Sequence, residues 1–249
     1  MNVINYSGVT KKYNSWPRGN KVLALDDFSL QIEQGEVFGF LGPNGAGKST
    51  ALKMLLNFIY PNAGTVSLMG RSVSDRRARG FIGYLPENPY FYDYLTAEEI
   101  LWFGGKVSGL TTHKIRERSY MLLHRMGLLS ASKRPLRTYS KGMVQRAGLA
   151  LSLIHDPEVV VLDEPMSGLD PIGRKLVGDL ILELKAQGKT VFFSSHILTD
   201  IERFCDRAGI IVGGRLRLVG SLADLLSGAG SLENVFMREV QAAGGGGAQ

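Results

Sequence analysis

The feature that most constrains this chain is residues 42–50 (GPNGAGKST), which fit the phosphate-loop pattern G-x-x-x-x-G-K-[ST]. The apolar run at residues 37–41 predicts a buried strand before the loop. Apolar residues at helical spacing (Ala51, Leu52, Met54 and Leu55) predict a helix after it. Glycines in such a loop let successive backbone N–H groups point at phosphate oxygens, and the new helix adds its positive N-terminal end. The segment therefore predicts a nucleotide phosphate site.

Individual residues of this loop have predicted roles. Lys48 is expected to reach the β- and γ-phosphates, and the Ser49 hydroxyl is expected to hold Mg²⁺. The remaining nucleotide-binding positions of this segment are Gly42, Asn44, Gly45, Ala46, Gly47 and Thr50.

A second apolar run, residues 159–162 (VVVL), suits a strand buried on both faces of a parallel sheet and ends in Asp163 and Glu164. Ligands of open α/β sheets lie at the carboxyl ends of the strands, which places both acids beside the phosphate loop. We expect Asp163 to order Mg²⁺ through water and Glu164 to accept a proton from the attacking water. The alternative for the two acids is a helix cap or a surface pair. His196 follows another predicted strand at the same edge, where it is expected to contact the γ-phosphate.

A helical segment interrupts this core. An aromatic stretch at residues 89–95 (PYFYDYL) leads into a capping box at Thr96 and Glu99, and helical patterns continue to about residue 155. Ser140 and Asp170 are predicted N-caps of later helices. Tyr13 is either an aromatic that stacks on adenine or a half-buried strand residue, and the residues alone leave both open.

Composition narrows the class of protein. The chain has 249 residues, 44% of them hydrophobic, which suits one large α/β domain. A net charge of +6 fits nucleotides, nucleic acid or an anionic membrane face and selects none of them. The single cysteine excludes a disulfide framework and a cysteine zinc site. No apolar run approaches the ~20 residues that span a bilayer, and no signal-peptide pattern is present, so we expect a chain that is soluble on its own.

Taken in order, these motifs resemble the ATP-binding subunit of ABC transporters over about residues 3–225. Residues 42–50 match the Walker A loop, 159–164 the Walker B strand with its catalytic glutamate, 167–170 the D-loop, and His196 the switch histidine. Residues 139–143 (YSKGM) lie where the family has its Leu-Ser-Gly-Gly-Gln signature. The resemblance implies ATP and Mg²⁺ as cofactors, with Glu164, His196 and Lys48 as catalytic residues.

The resemblance also implies partners. Two ATP-binding subunits, identical or paralogous, close head to tail, so that Ser140, Gly142 and Asp170 serve the nucleotide of the other copy. It further implies that Tyr13 stacks on adenine. Integral membrane permease subunits are the other expected partners, at the cytoplasmic face of the membrane, and no nucleic acid is expected. The aromatic stretch after Glu87 lies where the family docks its permease.

Two departures from the family pattern matter. In the signature only Ser140 and Gly142 are kept, whereas Lys141 replaces a glycine. Glu87 stands where the family has the glutamine of its Q-loop, and its carboxylate remains able to bind Mg²⁺ together with Ser49 and Asp163. Both departures resemble the export-type branch that pairs with separate permeases.

These features predict an α/β fold: a P-loop NTPase core with a mostly parallel sheet, an N-terminal antiparallel β subdomain and an inserted helical subdomain. We expect one ATP-binding domain over residues 1–230, with its core at 1–87 and 159–230 and the helical subdomain at 88–158. A C-terminal helix and a flexible Gly-rich tail are expected over residues 231–249.

The alternative function is a soluble ABC ATPase acting on the ribosome or nucleic acid. It is disfavoured by the single Walker A motif and the lack of a coiled-coil arm. A regulatory subunit with a weakened site is disfavoured because Lys48, Asp163, Glu164 and His196 are all present.

Overall fold

The computed structural model describes residues 1–14, 21–228 and 230–244. Its strands are β1 (Asn2–Asn14), β2 (Lys21–Glu33), β3 (Val37–Leu41), β4 (Ala63–Leu68), β5 (Arg71–Ser72), β6 (Ile82–Leu85), β7 (Val159–Asp163), β8 (Thr190–Ser194), β9 (Arg207–Val212) and β10 (Arg215–Ser221). Its α-helices are α1 (Lys48–Leu55), α2 (Ala97–Val107), α3 (Thr112–Arg125), α4 (Lys141–Ser152), α5 (Pro171–Ala186), α6 (Leu198–Phe204), α7 (Leu222–Leu226) and α8 (Leu232–Gly244). Short 3₁₀ turns lie at Arg76–Phe81, Leu129–Ala131 and Leu136–Thr138. Residues 245–249 of the expected tail lie outside the described residues.

The chain divides into two compact units, one formed by Met1–Arg79 with Thr190–Gln249 and the other by Gly80–Lys189. The sequence-derived boundaries at residues 88 and 158 are drawn by function rather than by compactness and stay a prediction. Among the described helices, none combines the length and the apolar character that crossing a bilayer requires.

The first unit contains an antiparallel sheet and a parallel core. The antiparallel sheet has the order β2-β1-β4-β5. In the core, β3 pairs in parallel with both β8 and β9, and β10 closes antiparallel on β9. All five residues of β3 and all five of β8 are buried, as expected for strands that are covered on both faces. Edge-to-face contacts between aromatic rings, such as Phe28 with Phe40 at 5.9 Å, fill the space between the two sheets.

The N-terminal strands are longer than the sequence predicts. The sequence predicts two short strands here, at residues 22–25 and 28–32. In the structure one strand, β2, runs through them, and Asp27 has a left-handed φ of 48°. The pairing shifts here, since Val9 pairs with Phe28 and Lys11 with Leu25. Asp26 and Asp27 are therefore accommodated by a β-bulge rather than by a turn.

The second unit combines the parallel pair β6–β7 with helices α2 to α5. Helix α4 packs closely on β6, since a Cβ on Gly148 would lie 2.9 Å from Leu85 Cδ1. The capping box at the start of α2 is confirmed, with Thr96 Oγ1 accepting from Glu99 N and a Glu99 carboxylate oxygen accepting from Thr96 N at 2.8 Å. A mostly parallel core, an antiparallel N-terminal sheet and an inserted helical region confirm the predicted α/β class.

Candidate functional site

The phosphate loop joins β3 to α1 and is shaped by its glycines. Gly45 and Gly47 have φ values of 80° and 113°, which side chains rarely adopt. Ala46 N donates to Pro43 O at 3.1 Å and closes a turn inside the loop. Helix α1 begins at Lys48, and its N-cap residue Gly47 offers no side chain to the first amides of the helix. Because those amides have no partner inside a helix, the loop presents donors suited to an anion.

Two neighbouring strands hold the backbone of this loop in place. A Cβ on Gly47 would lie 2.5 Å from Ala24 O in β2, and a Cβ on Gly42 would lie 2.5 Å from Ile211 O in β9. The turn between β9 and β10 adds a direct bond, since Gly214 N donates to Ala46 O at 2.9 Å. The loop is therefore fixed between β2 and this hairpin. Gly213 and Gly214 form the turn of this hairpin with φ values of 59° and 79°, and their local sequence does not indicate the contact with the phosphate loop.

Lys48 lies inside the curve of the loop. The residue is buried, and its Nζ donates to Gly42 O at 2.5 Å and to Pro43 O at 3.3 Å. The ammonium group is therefore held at the centre of the loop by main-chain carbonyls.

The other predicted nucleotide-binding positions of the loop differ in their exposure to solvent. Asn44, Gly45 and Ser49 are exposed, Gly47 and Thr50 are half-buried, and Gly42 and Ala46 are buried.

The first unit also carries Tyr13 and His196. Tyr13 lies in β1 opposite Val22 and keeps 38% of its surface exposed. Lys11 Nζ lies 5.2 Å from the centroid of its ring. The residue is thus a strand residue with an accessible ring, which is compatible with stacking. His196 is exposed and directly follows Ser195, whose Oγ accepts a bond from Ile197 N at 3.0 Å.

In the second unit, two paired strands end in carboxylates. The parallel register places Leu85 of β6 beside Leu162 of β7, so Glu87 and the pair Asp163–Glu164 follow neighbouring strand ends. Asp163 is buried, whereas Glu87 is exposed. Glu164 is half-buried and has a left-handed φ of 50°, an unusual backbone conformation for a residue with a side chain.

Tyr84 of β6 lies close enough to Asp163 and Glu87 for their charges to act on its hydroxyl group. The pKa of its hydroxyl is raised to about 12, chiefly by burial and in addition by the negative charges of Asp163 and Glu87. Sequence reasoning missed Tyr84, although its place as the penultimate residue of β6 was a signal. Asp163, Glu164 and Glu87 offer carboxylate oxygens, which are the kind of ligand that Mg²⁺ prefers. Within the described residues no group of three or more His, Cys, Asp or Glu could hold a metal by itself.

The remaining predicted site residues lie at two helix starts of the second unit. Ser140 is the N-cap of α4, and its Oγ accepts from Met143 N at 3.3 Å. Asp170 is the N-cap of α5, and its Oδ1 accepts from Gly173 N at 2.7 Å. Both predicted caps are confirmed. Gly142 follows in the first turn of α4, where a Cβ would lie 3.3 Å from Leu169 Cδ2.

Comparison with known proteins agrees with this geometry. A sequence profile described as ABC transporter matches residues 25–167, more than half of the chain. An uncharacterised ABC transporter ATP-binding protein of Synechocystis is 49% identical over 90% of the chain, which spans 64% of that relative. The Nod factor export ATP-binding protein I of Ralstonia nicotianae is 36% identical over 90% of the chain, which spans 69% of it. This chain thus spans about two thirds of the length of these relatives.

A solved ATP-binding subunit of an ABC transporter superposes with a TM-score of 0.86 and 29% identity, covering 95% of this chain and 99% of that one. It confirms the predicted P-loop NTPase core. The chain accordingly belongs to the ABC transporter family, as an ATP-binding domain of the ABC ATPase class.

Proposed function

We propose that this chain binds Mg-ATP, dimerises on it, and uses its hydrolysis to power movement of a substrate, by export, through a partner membrane permease. The observation that carries the proposal is the phosphate loop with its buried Lys48 and its uncapped helix start. A loop whose amides and single ammonium converge is built for a polyphosphate rather than for packing.

The residues divide the chemistry between them. Lys48 and the loop amides bind the β- and γ-phosphates, while Tyr13 stacks on the adenine. Ser49, Asp163 and Glu87 would hold Mg²⁺, which when bound neutralises phosphate charge. Glu164 accepts a proton from the attacking water as the water oxygen bonds to the γ-phosphorus. The bond from that phosphorus to the bridging oxygen breaks, and ADP leaves with the oxygen. His196 contacts the γ-phosphate.

The helix starts of the second unit support the dimer. Ser140 and Lys141 are exposed at the beginning of α4, and no acidic residue lies in its first turn. A helix N-terminus of this kind favours an anion brought by another molecule. In the proposed head-to-tail dimer, Ser140 and Gly142 meet the γ-phosphate of the other subunit's ATP, with Asp170 on the D-loop close by.

The aromatic stretch after Glu87 supports a permease docking surface on the helical region. Tyr90, Tyr92 and Tyr94 are 90%, 65% and 60% exposed, and the last two rings stack at 5.7 Å. Phe91 is half-buried, and a Cβ on Gly148 would lie 3.5 Å from its ring. The alternative that the whole stretch is internal is therefore wrong for its tyrosines. Exposed tyrosines gathered at one place are typical of protein interfaces.

A groove continues from the end of this stretch between α2 and α3. It has a volume of about 630 Å³ and begins at Thr96. Its lining combines aromatic and apolar side chains with both basic and acidic ones, among them Trp102, Ile115, Arg116 and Glu98. We place a helix of the permease in this groove, at the cytoplasmic face of the membrane. The name of the Ralstonia relative supports export as the direction of transport.

Glu164→Gln tests the catalytic proposal. The variant should bind ATP as tightly as the parent chain, lose about 10²- to 10⁴-fold in turnover, and accumulate as an ATP-bound dimer in sedimentation experiments. Glu158→Gln, an exposed acid just before β7, is the matched control and should change none of these quantities. Near-normal turnover by Glu164→Gln would remove Glu164 from the role of general base.

The docking surface is tested by changing Tyr90, Tyr92 and Tyr94 singly to Ala. Each variant should keep its unfolding temperature and basal ATPase, yet recover less permease from detergent-solubilised membranes. Tyr60→Ala is the matched control, since that tyrosine is 65% exposed in the first unit. Recovery of ribosomes or nucleic acid instead of a permease would favour the alternative function. Unfolding of all three variants would show that the tyrosines serve the core.

A further inference from the structure

The signature segment (residues 139–143) and the D-loop segment (residues 167–170) interlock within the second unit. A Cβ on Gly168 would lie 3.1 Å from both Cδ and Cε of Lys141. A Cβ on Gly142 would lie 3.3 Å from Cδ2 of Leu169. Each glycine thus lies beneath a side chain of the other segment, and the two contacts are reciprocal.

The contact of Lys141 is made by its methylene groups. Cδ and Cε approach the Gly168 position more closely than Nζ, which lies 3.3 Å from it. Gly168 has a left-handed φ of 70°, so the backbone turns here in a way that favours glycine and leaves room for the lysine stem. Long cationic side chains commonly pack their stems on a surface while the charged end stays in water.

The D-loop segment is fixed at its other end as well. Leu169 Cβ lies 3.4 Å from the position of a Cβ on Gly173, and Asp170 caps α5 through Gly173 N. The segment therefore lies between the first turns of α4 and α5. Besides the Lys141 stem, the contact of Leu169 with Gly142 joins the segment to α4.

We propose that Lys141 is a positioning residue, which holds the D-loop segment on the start of α4 so that both reach the second subunit as one body. This inference rests on the dimer put forward above as the proposed function. A signature with glycine at this position, as in the family pattern, has no side chain to make the contact. In this proposal the lysine at position 141 holds the D-loop segment in place and does not weaken the signature.

The experiment compares Lys141→Gly, which removes stem and charge, with Lys141→Met, which keeps an apolar stem without the charge. Amide hydrogen exchange at residues 167–170 is measured in the isolated chain without nucleotide. Lys141→Gly should speed exchange by about 15-fold, since two methylenes lose their contact and each contributes about fourfold. Lys141→Met should stay within about twofold of the parent chain. Lys114→Gly, another exposed lysine in the first turn of a helix, controls for helix propensity and should leave this exchange unchanged.

Steady-state kinetics give the second readout. Because the D-loop serves the other subunit's ATP, Lys141→Gly should lower kcat by about tenfold while the ATP affinity of its own phosphate loop stays unchanged. Lys141→Met should restore kcat. A purely structural defect would instead lower affinity and kcat together, with an unfolding temperature below that of Lys114→Gly.

The outcomes separate the two proposals. Unchanged exchange in Lys141→Gly overturns the role of Lys141, whatever the dimer does. A Lys141→Met variant as impaired as Lys141→Gly also overturns it, because the charge rather than the stem would then matter. Failure of Glu164→Gln to dimerise with ATP refutes the proposed function alone, since the exchange experiment needs no dimer.

Discussion

Replacing Gly47 by Ala should destabilise the protein more than replacing Gly45, although both glycines have positive φ in the same loop. An alanine at Gly45 meets no atom within 4 Å and has only an unfavourable φ of 80°. Its cost is about 1–2 kcal/mol. At Gly47 the φ of 113° is less favourable still, and the new Cβ would lie 2.5 Å from Ala24 O. Backbone strain of about 1–3 kcal/mol adds to an overlap cost of about 1–3 kcal/mol.

Thermal unfolding without nucleotide measures the difference. For a chain of this size each kcal/mol lowers Tm by about 2–4 °C. Gly45→Ala should therefore lose about 2–8 °C, and Gly47→Ala about 4–24 °C. ATP binding by Gly47→Ala should fall too, because a loop displaced from β2 also displaces Lys48. Equal losses of Tm in the two variants would refute the claim that β2 holds the loop by close backbone approach.

Two further predictions concern titratable groups of the second unit. Glu87→Gln should keep substantial ATPase activity. Glu87→Ala should need more Mg²⁺ for half-maximal turnover and should uncouple hydrolysis from transport in the assembled transporter. If Glu87→Ala behaves like the parent chain, Glu87 is only a loop carboxylate. Burial chiefly lowers the pKa of His155 below its ordinary value of 6.5, with Arg118 and Lys189 acting in the same direction against Asp156 and the bond to Ile82 O. The folded state thus binds this proton less readily than the unfolded chain, so stability is lost as pH falls below about 6.5. His155→Gln should flatten the fall in Tm between about pH 7.5 and 5.5, and an unaltered slope would contradict this.

Local patterns predicted those parts of the fold that depend on neighbouring residues. Continuous apolar runs at β3 and β7 indicated fully buried parallel strands, and both are buried throughout. The caps at Ser140 and Asp170 follow from residue type and position alone. The sequence predicts two short strands in place of β2, because pairing with β1 accommodates Asp26 and Asp27 in a bulge that the local pattern does not indicate.

Features of the site that depend on distant residues escaped prediction. The hairpin turn at Gly214 fixes the phosphate loop through Ala46, 168 positions earlier in the chain. Tyr84 meets the charge of Asp163 only because β6 and β7 pair in register. Lys141 and Gly168 each look like ordinary surface residues until the fold brings them together. No periodicity or short motif carries such information, since it arises from the tertiary pairing of segments.

In the aromatic stretch, backbone hydrogen bonds decide which side chains are buried, a question that the hydrophobic pattern does not answer. The sequence favours a partly exposed patch at residues 89–95 and leaves complete burial open, because the pattern reports side-chain character and not direction. In the structure the main chain holds this stretch, with Leu136 N donating to Leu95 O at 2.7 Å and Arg137 N donating to Asp93 O at 2.8 Å. Anchored in this way, the stretch needs only Phe91 and Leu95 for packing, and the three tyrosines are left outside. Their conformation is then set before a partner arrives, so little ordering entropy opposes docking. If a permease docks here as proposed, this preordered surface, joined through a short loop to Glu87, would pass a change at the γ-phosphate to that partner as a rigid-body step.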